Sequence, residues 1–335
     1  MKTGRSSHFS ELDGMRGILA VLVMLMHYGL NTIVVRVSHG EIQRGLWELS
    51  VDFFFVLSGF VLARSFARSP PNLGRYAIRR VLRLGPLYLL TLFVTLACGA
   101  RADGITLIAN VLIVQSLIGL DSINFPSWSI PLELFLPALG LVIVTRWQRW
   151  PRVAMLATAM LCLTGAIVCS TSLALEHDMR LLRAVFGLGL GFVMFRLVGA
   201  HVSMLGGRPV LTGIGFACIL LIMLVGSRFP MATVLFPPLV VVTIATGATT
   251  RGLMSTAPAQ ALGRWSYAIY LVHIPVLLLA QQILGEQVVG RNPVFKIVLA
   301  GLALGVAWLC HRFVEVPVAR LSSSIVASPM RAEAT

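Results

Sequence analysis

The residues best suited to chemistry lie where a membrane protein can least easily carry them. Glu11 to Tyr28, ELDGMRGILAVLVMLMHY, is an apolar run with Asp13 and Arg16 near its start and His27 near its end. Eleven residues of helix separate Arg16 from His27, about 16 Å or half a bilayer core. An ionisable group at such depth is expensive and marks a functional position. A histidine there can serve as a general base or as a nucleophile. The alternative is a packing residue with one hydrogen bond.

A second pair stands in PSWSIPLELFLP. Ser129 and Glu133 are four apart and share one helix face. Glu133 falls about a turn inside the apolar run, where an unpaired carboxylate is costly. A nearby His27 would balance it and give a Glu–His pair fit for base catalysis. The alternative is a Glu133–Ser129 hydrogen bond at the helix start. A third group is basic. In RYAIRRVLRLGPLYLL, Arg80 and Arg83 lie three apart where an apolar run begins. Their planar forks suit phosphate oxygens, and the competing account is membrane-surface anchoring. In GRWSYAIYLVHIP, Tyr267, Tyr270 and His273 fall on one face, with Pro275 predicting a kink; lining of a polar core and plain packing are both open. Asp52 opens its helix as a favourable N-terminal carboxylate or orients a basic neighbour. Glu315 either pairs with Arg312 or holds the arginine cluster. Asp13 is placed to pair with Arg16. The remaining histidines have no context beyond surface or packing.

The elements that must position these groups are membrane helices. Of the 335 residues, 57% are hydrophobic and 12% charged, against about 25% charged in soluble domains. The net charge of +14 comes mostly from arginines in short loops, which fits the positive-inside rule and anionic lipid rather than nucleic acid. The five cysteines sit in or beside apolar runs without metal spacing and read as small packers. No metal site is expected. The polar first residues and the absence of a small-residue cleavage site predict that the first helix is retained.

Eleven apolar runs can be marked, and the fourth, ITLIANVLIVQSLIGL, is short and carries Asn110, Gln115 and Ser116. With the N-terminus cytoplasmic and all eleven spanning, Lys and Arg divide almost evenly. If the fourth does not span, 19 of the 27 fall inside, as the positive-inside rule requires. The expectation is therefore an all-α polytopic protein with about ten transmembrane helices and both termini cytoplasmic. Residues 105–127 would form a re-entrant segment near the outer face, a candidate wall for a substrate site. Residues 1–321 are expected as a single transmembrane domain and 322–335 as a disordered cytoplasmic tail.

The order of these pieces resembles the integral-membrane acyltransferase-3 family. The matching stretches are LDGMRGILAVLVMLMH, VDFFFVLSGFVL, RRVLRLGPLYLL, PSWSIPLELF, GRWSYAIYLVHIP and RFVEVP, from about residue 9 to 317. The family's arginine–ten residues–histidine pattern falls on Arg16 and His27, its third-helix arginine motif on Arg80 and Arg83, and its Ser-x-x-x-Glu on Ser129 and Glu133. Pro131 and Leu134 depart from the commoner sequence around that glutamate. The secreted hydrolase-like domain fused to some members has no counterpart, so the chain is expected to act alone or with a separate partner.

The resemblance implies an O-acyltransferase of a bacterial cytoplasmic membrane. Acetyl-CoA, or another acyl-CoA, would be the co-substrate, with its phosphates on Arg80 and Arg83 helped by Arg16. His27 would act as acyl carrier or general base, with Glu133 and Ser129 beside it and Asp13, Asp52, Tyr267, His273 and Glu315 in support. The acceptor would be a hydroxyl of an extracytoplasmic glycan or glycolipid. The competing function is a transporter or translocator of a glycan or lipid-linked substrate, which needs polar midplane groups but no covalent step.

Overall fold

A computed structural model describes residues 9–29, 48–68, 72–147, 150–174, 179–198, 208–226, 229–285, 287, 289 and 292–327. Among these residues all regular structure is helical. Helices α1 (Ser10–His27), α2 (Leu49–Arg68) and α3 (Leu73–Ala97) come first. The short α4 (Gly104–Val111) follows, then α5 (Ser129–Trp147), α6 (Arg152–Ala174), α7 (Arg180–Val198) and α8 (Pro209–Val225). After a 3₁₀ turn at Pro230–Leu235 come α9 (Phe236–Gly247) and α10 (Ala257–Leu284). The chain ends in α11 (Pro293–Cys310), a π-helical turn at His311–Glu315 and α12 (Val316–Ala327).

Among the described residues, six stretches are long and apolar enough to cross a membrane: Leu49–Arg68, Leu73–Ala97, Arg152–Ser172, Pro230–Gly247, Ala257–Leu284 and Pro293–Ser322. Their apolar side chains suit hydrocarbon, and helical hydrogen bonding satisfies most of the backbone groups that lipid cannot. The protein is an integral membrane protein of helical type. Residues 328–335 of the expected tail lie outside the described residues, and α12 carries helical backbone to Ala327.

The segment 105–127 is not one helix. α4 has eight residues, about 12 Å of rise, too short to span. Asp103 caps it by accepting the Thr106 N–H at 2.7 Å, and that bond holds the exposed carboxyl below its usual range. The polar residues that weaken this run in sequence terminate its backbone instead. Asn110 Nδ2 donates to the carbonyls of Thr106 and Asp121, each at 2.9 Å. Asn110 Oδ1 accepts the Ile123 N–H at 3.1 Å. Gln115 Nε2 donates to Tyr88 Oη at 3.0 Å and Ser122 Oγ at 3.1 Å. Ile113 adopts φ 58°, a left-handed conformation that β-branched residues rarely take.

The chain divides into two compact units. Unit 1 is Met1–Val21, Gly40–Arg64 and Trp150–Ser266; unit 2 is Leu22–His39, Ser65–Arg149 and Tyr267–Thr335. In unit 1, α1 and the start of α10 touch backbone to backbone. A Cβ on Gly17 would strike the Gly263 backbone, and one on Gly263 would strike the carbonyl of Asp13. Small residues permit this approach in membranes, where packing rather than hydrophobicity joins helices. Unit 1 also buries Arg183 completely: Nε lies 2.9 Å from Asp52 Oδ1, Nη1 meets the Glu48 carboxylate, and Nη2 donates to the Glu48 carbonyl at 2.8 Å.

Candidate active site

The candidate site is built in unit 2 around His27, the last residue of α1. Its Nδ1 lies 3.1 Å from Nε2 of His273, and the two rings stack with centroids 5.0 Å apart. His273 is completely buried. Its other nitrogen, Nδ1, is 3.0 Å from the Ile269 carbonyl oxygen one turn earlier. Tyr28 Oη donates to the His273 carbonyl at 2.9 Å. Phe125 meets His27 edge-on, with centroids 5.9 Å apart.

Pro275 explains how the irregular segment reaches this pair. Proline has no N–H, so the Leu271 carbonyl one turn earlier loses its helical donor. Asn124 Nδ2 supplies the missing bond at 2.9 Å. The residue before Phe125 is thereby fastened to α10 beside His273. The same turn ends in buried Ser127 and Trp128, with Ser127 Oγ donating to the Asn124 carbonyl at 2.7 Å. Ser129 Oγ then lies 3.5 Å from Tyr270 Oη. Residues 122–129 thus form one wall of the histidine site.

The basic group occupies the same unit. Arg80 is buried, and its Nε donates to Tyr76 Oη at 3.0 Å, using one of five N–H donors. Arg83 follows on α3. Tyr267 Oη donates to the carbonyl of Leu84 at 2.6 Å, which fastens α10 to α3 beside Arg83. Six residues separate Tyr267 from His273 along α10, about 9 Å. Glu315 bonds His311 Nδ1 through Oε2 at 2.9 Å, a partner that its sequence context did not single out.

A family model described as an acyltransferase domain matches residues 9–312. The chain belongs to this acyltransferase family. A relative, acyltransferase MdmB of Streptomyces mycarofaciens, is 26% identical, with 93% of this chain and 92% of that protein covered. No solved structure matches.

For this membrane acyltransferase, the site residues named from sequence fall into two groups. His27, Ser129, Glu133, Arg80, Arg83, Tyr267, His273 and Glu315 all belong to unit 2. Asp13, Arg16 and Asp52 belong to unit 1. There Arg16 donates from Nε to Ser266 Oγ and from Nη2 to the Gly263 carbonyl, both at 3.0 Å, and pairs with Asp13 at 3.4 Å. Asp52 orients a basic partner, Arg183. That arginine was missed, although Arg180 and Arg183 in the otherwise apolar opening of α7 were a signal for it. Asn124 was missed because its role depends on a proline far away in sequence. Buried Lys296 was missed too; its Nζ donates to the Gly29 carbonyl at 3.1 Å, two residues after His27. Among the described residues no group of three His, Cys, Asp or Glu is placed to hold a metal ion.

Proposed function

We propose that this acyltransferase moves an acyl group, acetyl in the first instance, from a cytoplasmic acyl-CoA to a hydroxyl of an extracytoplasmic glycan or glycolipid. The observation that carries the reading is the imidazole pair, half-buried His27 against buried His273, in the same unit as Arg80 and Arg83. The arginine forks suit the phosphates of CoA. His27 suits the reacting end, and the roughly 9 Å between the Tyr267 and His273 levels is within reach of the flexible arm joining the phosphates of CoA to its thioester.

In this scheme His27 works in one of two ways. As a base it takes the acceptor hydroxyl proton while that oxygen attacks the thioester carbonyl. The C–S bond then breaks, and the CoA sulfur receives a proton. As an acyl carrier its ring nitrogen attacks the thioester first, releases CoA, and passes the acyl group to the hydroxyl in a second step. Glu133 and Ser129 line the route, and the 105–127 segment borders the acceptor side. The reading includes ten spanning helices, both termini in the cytoplasm and a bacterial inner membrane, with the acyl-CoA and the glycan on opposite faces.

The test is transfer from radiolabelled acetyl-CoA in membranes holding the wild type or His27→Ala at matched expression. Label is expected in extracytoplasmic glycan, falling at least about 100-fold in the variant. Equal label in both samples removes His27 from the mechanism.

A further inference from the structure

We propose that His273 is a positioning residue that fixes the tautomer of His27, so that Nε2 of His27 is the atom that reacts. The proposal rests on the acyl-transfer reading for its kinetic consequence, but its structural content stands apart from that reading.

The argument follows hydrogen-bond direction. A carbonyl oxygen can only accept, so the 3.0 Å contact between His273 Nδ1 and the Ile269 carbonyl requires the proton on His273 Nδ1. Neutral imidazole carries one N–H. His273 Nε2 therefore presents a lone pair. His27 Nδ1, 3.1 Å away, must supply the proton of that bond. The remaining nitrogen of His27, Nε2, is then left with its lone pair. One backbone carbonyl thus sets the direction of the chain Ile269 carbonyl, His273, His27. The Val23 carbonyl, a further backbone partner of His27, can likewise only accept.

The surrounding packing prevents the alternatives. His273 is completely buried. Tyr28 holds the His273 carbonyl, and Asn124 holds the Leu271 carbonyl left open by Pro275. The histidine backbone is therefore fixed on both sides of the ring. Phe125 and His273 both lie against the His27 ring, with centroids 5.9 and 5.0 Å away.

The consequence is common to both routes. Acting as a base, His27 Nε2 takes the hydroxyl proton and becomes imidazolium; its Nδ1–H stays bonded to His273 Nε2. The proton on Nε2 then goes to the departing sulfur, which restores the starting tautomer. Acting as a carrier, Nε2 forms the N–acyl bond as the C–S bond breaks, and the positive ring keeps its Nδ1–H on His273 Nε2. With the opposite tautomer the proton would occupy the nitrogen that must act. An orienting partner of this kind is worth several powers of ten in rate where a triad histidine depends on it.

Two variants separate positioning from packing. His273→Gln carries an amide oxygen far enough out to accept the His27 Nδ1–H. His273→Asn is equally polar but ends near the old Nδ1 position and does not reach. Label transfer from acetyl-CoA in membranes is expected to fall about 100-fold in maximal rate for H273N, with the KM for acetyl-CoA within about 3-fold, and to recover to within about 10-fold of wild type for H273Q. Equal loss in both variants, or no loss in H273N, overturns the proposal.

The tautomer can be read directly in the full-length wild-type protein carrying ¹⁵N-histidine, with the His27 signals assigned by their disappearance in His27→Gln. Long-range proton–nitrogen correlation is expected to show a protonated Nδ1 and a bare Nε2. A protonated Nε2 at His27 overturns the proposal even where neither His273 variant folds. Absence of acetyl transfer in the wild type would instead refute the acetyl-CoA reading and leave this spectrum decisive for the tautomer.

Discussion

At the scale of single residues, the site depends on polar groups whose partners are backbone atoms exposed by special residues. Asn124 is the clearest case. Pro275 leaves the Leu271 carbonyl without its helical donor, and the Asn124 amide fills the gap. Replacing Asn124 by Leu should orphan that buried carbonyl at a cost of about 1–3 kcal/mol. A lower thermal midpoint is expected, together with a larger loss in maximal acetyl transfer than in the KM for acetyl-CoA, because the Phe125 wall is tied to the histidines rather than to the arginines. An unchanged midpoint and rate in Asn124→Leu would show that this bond contributes nothing. Arg16 teaches a related lesson. Its spacing to His27 was plain, yet its donors turn to Ser266 and the Gly263 carbonyl, so part of its role is to hold helix ends together.

At the scale of elements, the motif around Arg16 joins chemistry to packing. Gly14 and Gly17 flank the arginine, and Gly17 lies against Gly263 with no room for a side chain between the helices. Close approach lets the short reach from Arg16 to the Gly263 carbonyl succeed. Gly263→Val should push α1 and α10 apart and cost about 1–3 kcal/mol. The expected readout is a lower melting midpoint in detergent; a midpoint equal to wild type would mean that the helices are not in contact there. Glu11 serves the same junction by accepting N–H groups from Gly252 and Met254 and the hydroxyl of Ser255. The fourth apolar run shows the opposite outcome of composition. Asn110 and Gln115 would be penalties inside a spanning helix, and they become the crosslinks of a short helix and two turns.

At the scale of the whole molecule, the decisive property is which side each loop occupies. The broken 105–127 segment makes ten crossings rather than eleven the expected number, and every loop after it changes side between the two counts. A reporter fused at Trp150, just after α5, distinguishes them. Ten crossings put it in the cytoplasm, where green fluorescent protein matures and alkaline phosphatase stays inactive. The reverse pattern would restore the fourth run as a full span. Unit 1 holds a charge cluster of its own, buried Arg183 and Asp52 with half-buried Glu48. Breaking such a cluster by removing one member is costly because it strands the rest without water.

Composition and periodicity alone determined that this chain is a helical membrane protein, because apolar runs of about twenty residues have no other stable arrangement in lipid. Local spacing also marked His27, Arg80, Arg83, Ser129 and Glu133 as candidates, since a polar or charged group inside an apolar run stands out without knowledge of its neighbours. Partnership was a different matter. His27 Nδ1 meets His273, 246 positions away along the chain, a partner that its own spacing does not announce. Asp52 waited for Arg183, and the gap left by Pro275 waited for Asn124. Each of these contacts joins segments remote in sequence, and no local pattern encodes which remote donor meets which acceptor. Tertiary packing decided them, because a buried polar atom must find its partner in whatever helix or turn the fold brings within 3 Å or so.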